Sequence, residues 1–239
     1  ILLANTSNQV EKELEFLKIF RTNNVDGVIF MGTLMSKRHL TVMRSYQKPI
    51  VLLAQQEEII PSVYFDDYQS AYLATEILLK RDCREIAYIG VTLKDRAVGR
   101  NRRIGFTDAL AQYQIQPDER RMVETQFDME DGYEAARILM ERNVPFDGIF
   151  CATAELAFGA MSYLRQQNVL VPEQVKVSAV GNNRLATLYD PPLTTVSLSH
   201  RTGGSEAAAM LLDLIQEQEI PCRSEKMICC LHERKSTLG

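Results

Sequence analysis

No apolar run in these 239 residues approaches the ~20 that a membrane-spanning helix needs. The amino end, Ile1-Leu2-Leu3-Ala4-Asn5, lacks the length and the basic start of a secretory signal. There is no basic excess either. The 27 Lys and Arg face 31 Asp and Glu, for a formal net charge of −4. A chain that grips nucleic acid across its own surface carries the opposite sign, so no wide DNA or RNA face is expected. Also missing are a Gly-x-Gly-x-x-Gly, a P-loop and a Gly-x-Ser-x-Gly elbow. No enzyme, catalytic residue or cofactor is therefore expected. His39, His200 and His232 show no paired ligand spacing, so no metal is expected. The five cysteines, Cys83, Cys151, Cys222, Cys229 and Cys230, are odd in number and form no Cys-x-x-Cys. They read as the reduced thiols of a cytoplasmic protein.

What is present is alternation. Helix-like apolar spacing over Val10 to Asn23, Lys37 to Tyr46 and Tyr68 to Lys80 alternates with short apolar runs. Those runs are Val25 to Met31, Pro49 to Leu53, Ser62 to Phe65 and Ile86 to Gly90. The pattern restarts with helices at Asn101 to Gln112, Asp131 to Arg142, Glu155 to Gln167 and Arg201 to Gln216. Strands are expected at Met122 to Thr125, Phe146 to Cys151, Val175 to Val180 and Lys226 to Leu231. Such spacing predicts an α/β fold of parallel βαβ units. Natural boundaries are the polar stretch Gly90 to Gly99 and the pair Pro191-Pro192. Ile1 to Ala4 is read as a second strand whose inner neighbour lies upstream.

The strand Val175 to Val180 ends on Gly181-Asn182-Asn183. The carboxyl edge of an open α/β sheet is where ligands bind. Together with the stiff Pro191-Pro192 stretch, read as a crossover, this suggests a two-lobed receptor for a small molecule.

The chain resembles the effector-binding core of the lactose-repressor/galactose-repressor transcription factors. The resemblance runs nearly end to end. It rests on Leu2 to Thr6, Val25 to Phe30, Phe65-Asp66-Asp67 and Arg84 to Gly90. It continues with Arg102-x-x-Gly105-Phe106, Asp131 to Ala135, Phe150 to Ala152, Val171 to Val175, Pro192 to Val196 and Glu233 to Thr237. It implies two Rossmann-like lobes with parallel sheets, joined by three crossovers, with a cleft between them (periplasmic binding protein type I). The expected lobes are residues 1–91 with 197–222, lacking a first strand and helix, and 92–196 with 223–239. It further implies a sugar effector in the cleft, a homodimer, no membrane association, and operator DNA bound through a helix-turn-helix domain not within this chain.

Sugar recognition needs planar polar groups and an aromatic face. The resemblance points to an arginine among Arg96, Arg100 and Arg102, with Arg100 favoured and Arg96 in reserve; the alternative is a solvated helix start. Phe127 matches a ring that stacks on ligand, or is a core residue. Asn183 matches a cleft aspartate, or caps its own turn. Of Asp66 and Asp67, one should face the cleft and the other cap a helix; Asp67 is taken as the contact. Where the family usually carries an acid this chain has Ala154, preceded by Thr153, the remaining candidate. A less anionic cleft favours a disaccharide such as sucrose, trehalose or maltose. Two other readings remain: a periplasmic sugar-binding protein of a transporter, and an enzyme using Asp128, Glu130 and Asp131. For the acidic cluster, a solvated helix start is the better account.

Overall fold

The computed structural model describes residues 1–216 and 222–238. The chain forms two units, Ile1–Phe65 with Ser199–Met227 and Asp66–Leu198 with Ile228–Gly239. It passes from one to the other three times, after Phe65, Leu198 and Met227.

The first unit opens with α1 (Val10–Thr22), β1 (Val28–Phe30), α2 (Lys37–Arg44), β2 (Ile50–Leu53) and β3 (Ser62–Phe65). The second runs α3 (Asp67–Lys80), β4 (Ile86–Val91), α4 (Arg102–Gln112), β5 (Met122–Thr125), α5 (Met129–Glu141) and β6 (Gly148–Cys151). It continues through α6 (Ala154–Gln166), β7 (Lys176–Val180), α7 (Leu185–Leu188) and β8 (Thr194–Leu198). Then α8 (His200–Gln216) and β9 (Ser224–Met227) return to the first unit, and β10 (Cys229–His232) belongs to the second.

In the first unit the sheet order is β1-β2-β3-β9, every pair parallel. Strand side chains alternate between faces. Val28, Phe30, Ile50 and Leu52 pack with Leu17 of α1 and Met43 of α2, while Val51 and Val63 pack with Ala207 and Met210 of α8. Helices thus cover both faces, as a parallel sheet requires. Buried His39 and Glu13, 3.0 Å apart, tie α2 to α1.

The second unit has a six-stranded sheet, β10-β8-β7-β6-β4-β5, parallel except for β10. Ile89, Ile149, Val177 and Ala179 turn toward α5 and α6 in one core cluster. On the other face Phe150 stacks on Phe106 of α4, Tyr88 packs tilted against it, and Ser178 Oγ donates to the Ala74 carbonyl of α3 at 2.6 Å.

Several expectations are corrected. Residues 1–4 form no strand. The expected strand Lys226 to Leu231 is two strands, one in each unit. Residues 66–91 belong to the second unit, because β4 pairs with β5 and β6. Gly90 to Gly99 is therefore no boundary. Nor is Pro191-Pro192 a crossover: Leu193 beside it is fully buried, and β8 stays in the second sheet. The passage comes after Leu198 instead.

Helices α5 and α6 touch backbone to backbone. A Cβ at Gly159 would fall inside the radius of the Met129 carbonyl oxygen, and one at Gly132 inside that of Leu156. Neither neighbour can yield without moving a helix. Gly159→Ala should therefore cost about 3 kcal/mol, read as a lower urea midpoint. An unchanged midpoint would show that the two helices do not touch there.

Candidate functional site

Strands β7, β6, β4 and β5 are parallel neighbours, so their carboxyl ends share one edge. Phe127 stands two residues beyond β5, Thr153 two beyond β6, and Asn183 three beyond β7. Arg96, Arg100 and Arg102 follow β4. These candidates are thereby brought to one edge of one sheet.

The arginines divide into two kinds. Arg96 and Arg100 are exposed and lie on a π-helical turn, Arg96–Asn101. Asp95 builds this turn. Its Oδ1 accepts from Val98 N at 2.9 Å, and its carbonyl accepts from Arg100 N at 2.8 Å. π-Helical turns are rare and concentrate at functional sites. The other carboxylate oxygen of Asp95 is buried without a partner. Burial pushes this carboxyl above its ordinary pKa range, against the opposing pull of the Val98 amide and the Arg102 charge.

Arg102 is only 5% exposed and Asp67 4%. Arg102 Nε and Nη2 donate to Asp67 Oδ1 at 2.8 and 2.6 Å, and Nη1 donates to the Ala152 carbonyl. One guanidinium therefore joins the start of α3, the start of α4 and the residue after β6. Three of its five N–H donors have partners in these bonds. Asp66 is the helix cap, its Oδ1 accepting from Gln69 N at 3.1 Å.

Thr153 caps α6, its Oγ1 accepting from Leu156 N at 3.3 Å. Asn183 caps its own turn through Oδ1, which accepts from Ala186 N at 3.1 Å, while Nδ2 donates to Glu155 Oε1 at 2.8 Å. An acid thus reaches this part of the edge from Glu155, one residue past buried Ala154. Phe127 is half-buried and packs against the core that α5 and α6 share with the sheet. Asp128 and Asp131 form a capping box, Asp128 N donating to Asp131 Oδ2 at 3.0 Å. This gives the acidic cluster its role in starting α5. Among the described residues no group of three His, Cys, Asp or Glu could hold a metal, and no helix is long and apolar enough to cross a membrane.

Sequence reasoning missed the mutual pairing of Asp67 and Arg102, the Asp95 cap and the Asn183–Glu155 bond. Only the Asp95-x-x-Val98 start, an acid ahead of a turn, carried a local signal. Breaking a buried pair strands the surviving charge. Arg102→Ala should therefore destabilise the second unit by about 3–5 kcal/mol, measured by urea unfolding. An effect below about 1 kcal/mol, the size of an exposed pair, would show that Asp67 finds water.

The domain family described as "Periplasmic binding protein-like domain" matches residues 75–237. The transcriptional regulator RegA of Clostridium saccharobutylicum is 29% identical over 240 residues, covering 100% of this chain and 72% of that protein. The sucrose operon repressor of Staphylococcus xylosus is 26% identical over 93% of this chain and 68% of its own length. The crystal structure of the regulator CcpA of Lactococcus lactis superposes with a TM-score of 0.90 at 28% identity, covering 98% of this chain and 86% of that one. The chain belongs to the periplasmic-binding-protein-like domain family, as the effector-binding core of a lactose-repressor/galactose-repressor transcriptional regulator.

Proposed function

We propose that this core senses a neutral or weakly charged sugar at the carboxyl edge of the six-stranded sheet. Binding there changes the operator affinity of a homodimeric repressor whose DNA contacts are made by an N-terminal domain. The observation that carries this reading is the meeting of an aromatic ring, helix caps and arginines at one sheet edge. Arg102 is the arginine best suited to grip the ligand. The sequence favoured Arg100, but Asp67 and Ala152 fix the Arg102 fork in advance and leave it two N–H donors. A cation held in place loses less freedom on binding than an exposed one. Arg100 and Arg96 then serve as outer cations, Phe127 as the apolar wall, and Thr153, Asn183 and buried Asp67 as the hydrogen-bonding frame. Exposed Leu185 and Leu188 on α7 offer apolar surface suited to a second copy.

A disaccharide is the favoured effector class, with sucrose, trehalose or maltose as the first choices. Ala154 and the amide of Asn183 stand where acids are usual, and Glu155, which does reach this part of the edge, is already engaged by Asn183 Nδ2. One relative is named a sucrose operon repressor. The relatives are named as regulators and repressors, which favours this reading over a transporter's binding protein or an enzyme.

The test is thermal unfolding of the protein with sucrose, trehalose, maltose, cellobiose and ribose. A sugar at 100 times its Kd should add about 2.7 kcal/mol of apparent stability. The same sugar should change operator affinity of the protein carrying its DNA-binding domain, measured at one fixed salt concentration. Five sugars without effect on either readout would remove the sugar reading.

A further inference from the structure

Arg234 lies beyond β10, in the tail that closes the chain, yet its side chain reaches the site edge. Nη2 donates to Asn182 Oδ1 at 2.7 Å, and Nη1 donates to Thr195 Oγ1 at 2.9 Å and to the Leu193 carbonyl at 2.7 Å. Thr195 Oγ1 in turn donates to Asn182 Oδ1 at 3.1 Å, closing a three-residue ring of hydrogen bonds. A guanidinium only donates, so the amide of Asn182 must turn its oxygen inward. Its amino group is left facing out of the ring, on an exposed residue directly beside Asn183.

The backbone around Arg234 is fixed from several sides. Its N–H donates to Thr194 Oγ1 at 2.8 Å, and its carbonyl accepts from Thr194 Oγ1 at 3.0 Å. Separately, the tail docks through Val177 N to the Ser236 carbonyl at 2.9 Å and Ser236 N to the Pro192 carbonyl at 2.9 Å. Those two bonds are made between backbone groups and do not involve the guanidinium. A half-buried arginine that makes three charge-assisted bonds beyond a tail already docked has a second task.

We propose that Arg234 is a positioning residue for the Gly181-Asn182-Asn183 loop, so that the tail sets the geometry of the effector site. The inference rests on reading that edge as the sugar site. The loop is otherwise held by the Gly181 N bond to the Val196 carbonyl, the Asn183 cap and the Asn183–Glu155 bond, none of which restrains Asn182 itself. Gly181 has φ +110°, a conformation of glycine with little to stiffen it. The Arg234–Asn182–Thr195 ring supplies the missing restraint.

Two measurements test this on the whole protein. The first is hydrogen exchange of Arg234→Gln. Protection at Ala186 N, which reports the Asn183 cap, should fall about ten-fold. Protection at Val177 N, which reports tail docking, should be unchanged. Loss at both sites, or at neither, overturns the proposal, since the arginine would then only fasten the tail or do nothing. The second is affinity for whichever of the five sugars shifts the wild type. Arg234→Gln and Asn182→Leu should each weaken it about ten-fold. The double variant should be no weaker than either alone, as expected of residues acting in series. Full affinity in Arg234→Gln, or additive losses, overturns the proposal. A wild type that binds none of the sugars overturns the sugar reading, and the exchange result then decides the positioning role alone.

Discussion

The ion pair between Asp67 and Arg102 holds the candidate site together. It joins two helix starts to the end of the central strand β6 and buries both charges almost completely. A buried charge pair gives little net stability relative to apolar packing, but it tolerates few geometries. What it contributes here is placement. Because α3, α4 and the Ala152 carbonyl meet at one guanidinium, the π-helical turn just before α4 cannot drift from the end of β6. Asp95, just ahead of that turn, feels the Arg102 and Asp67 charges and closes the turn by accepting from Arg100 N with its own carbonyl.

Much of the fold was legible in local pattern. Each expected helix has its counterpart, and no end differs by more than two residues. The alternation of apolar runs with polar turns gave parallel sheets covered on both sides. Assignment to the units was not legible, because it depends on which strands pair. Gly90 to Gly99 looked like a linker since it is polar and holds two glycines. In the fold, Gly99 is there because a Cβ would collide with the Thr92 carbonyl as the π-helical turn closes. Pro191-Pro192 looked like a rigid crossover for the same kind of reason. Its stiffness instead leads into β8 within the sheet, where the Pro192 carbonyl receives the tail at Ser236.

Placement at the sheet edge was legible wherever it follows from position along the chain alone. Phe127, Thr153 and Asn183 come after strand ends, and strand ends can be read from the chain. Partners far apart in sequence could not be read. Asp67 and Arg102 are 35 residues apart, Asn183 and Glu155 28, and Asn182 and Arg234 52. No local rule names such partners. They also alter what the visible residues do: Asn183 spends an amide hydrogen on Glu155, and Arg102 gains a fixed orientation that exposed Arg100 lacks.

The contact between α5 and α6 at Gly132 and Gly159 has a consequence for how this site can diverge. At these two glycines backbone lies against backbone, with no side chain in between whose rotamer could absorb a shift. The helix starts behind Phe127 and Thr153 therefore behave as one stiff jig. The side chains mounted on it are interchangeable teeth, replaceable one at a time while the frame that spaces them stays put.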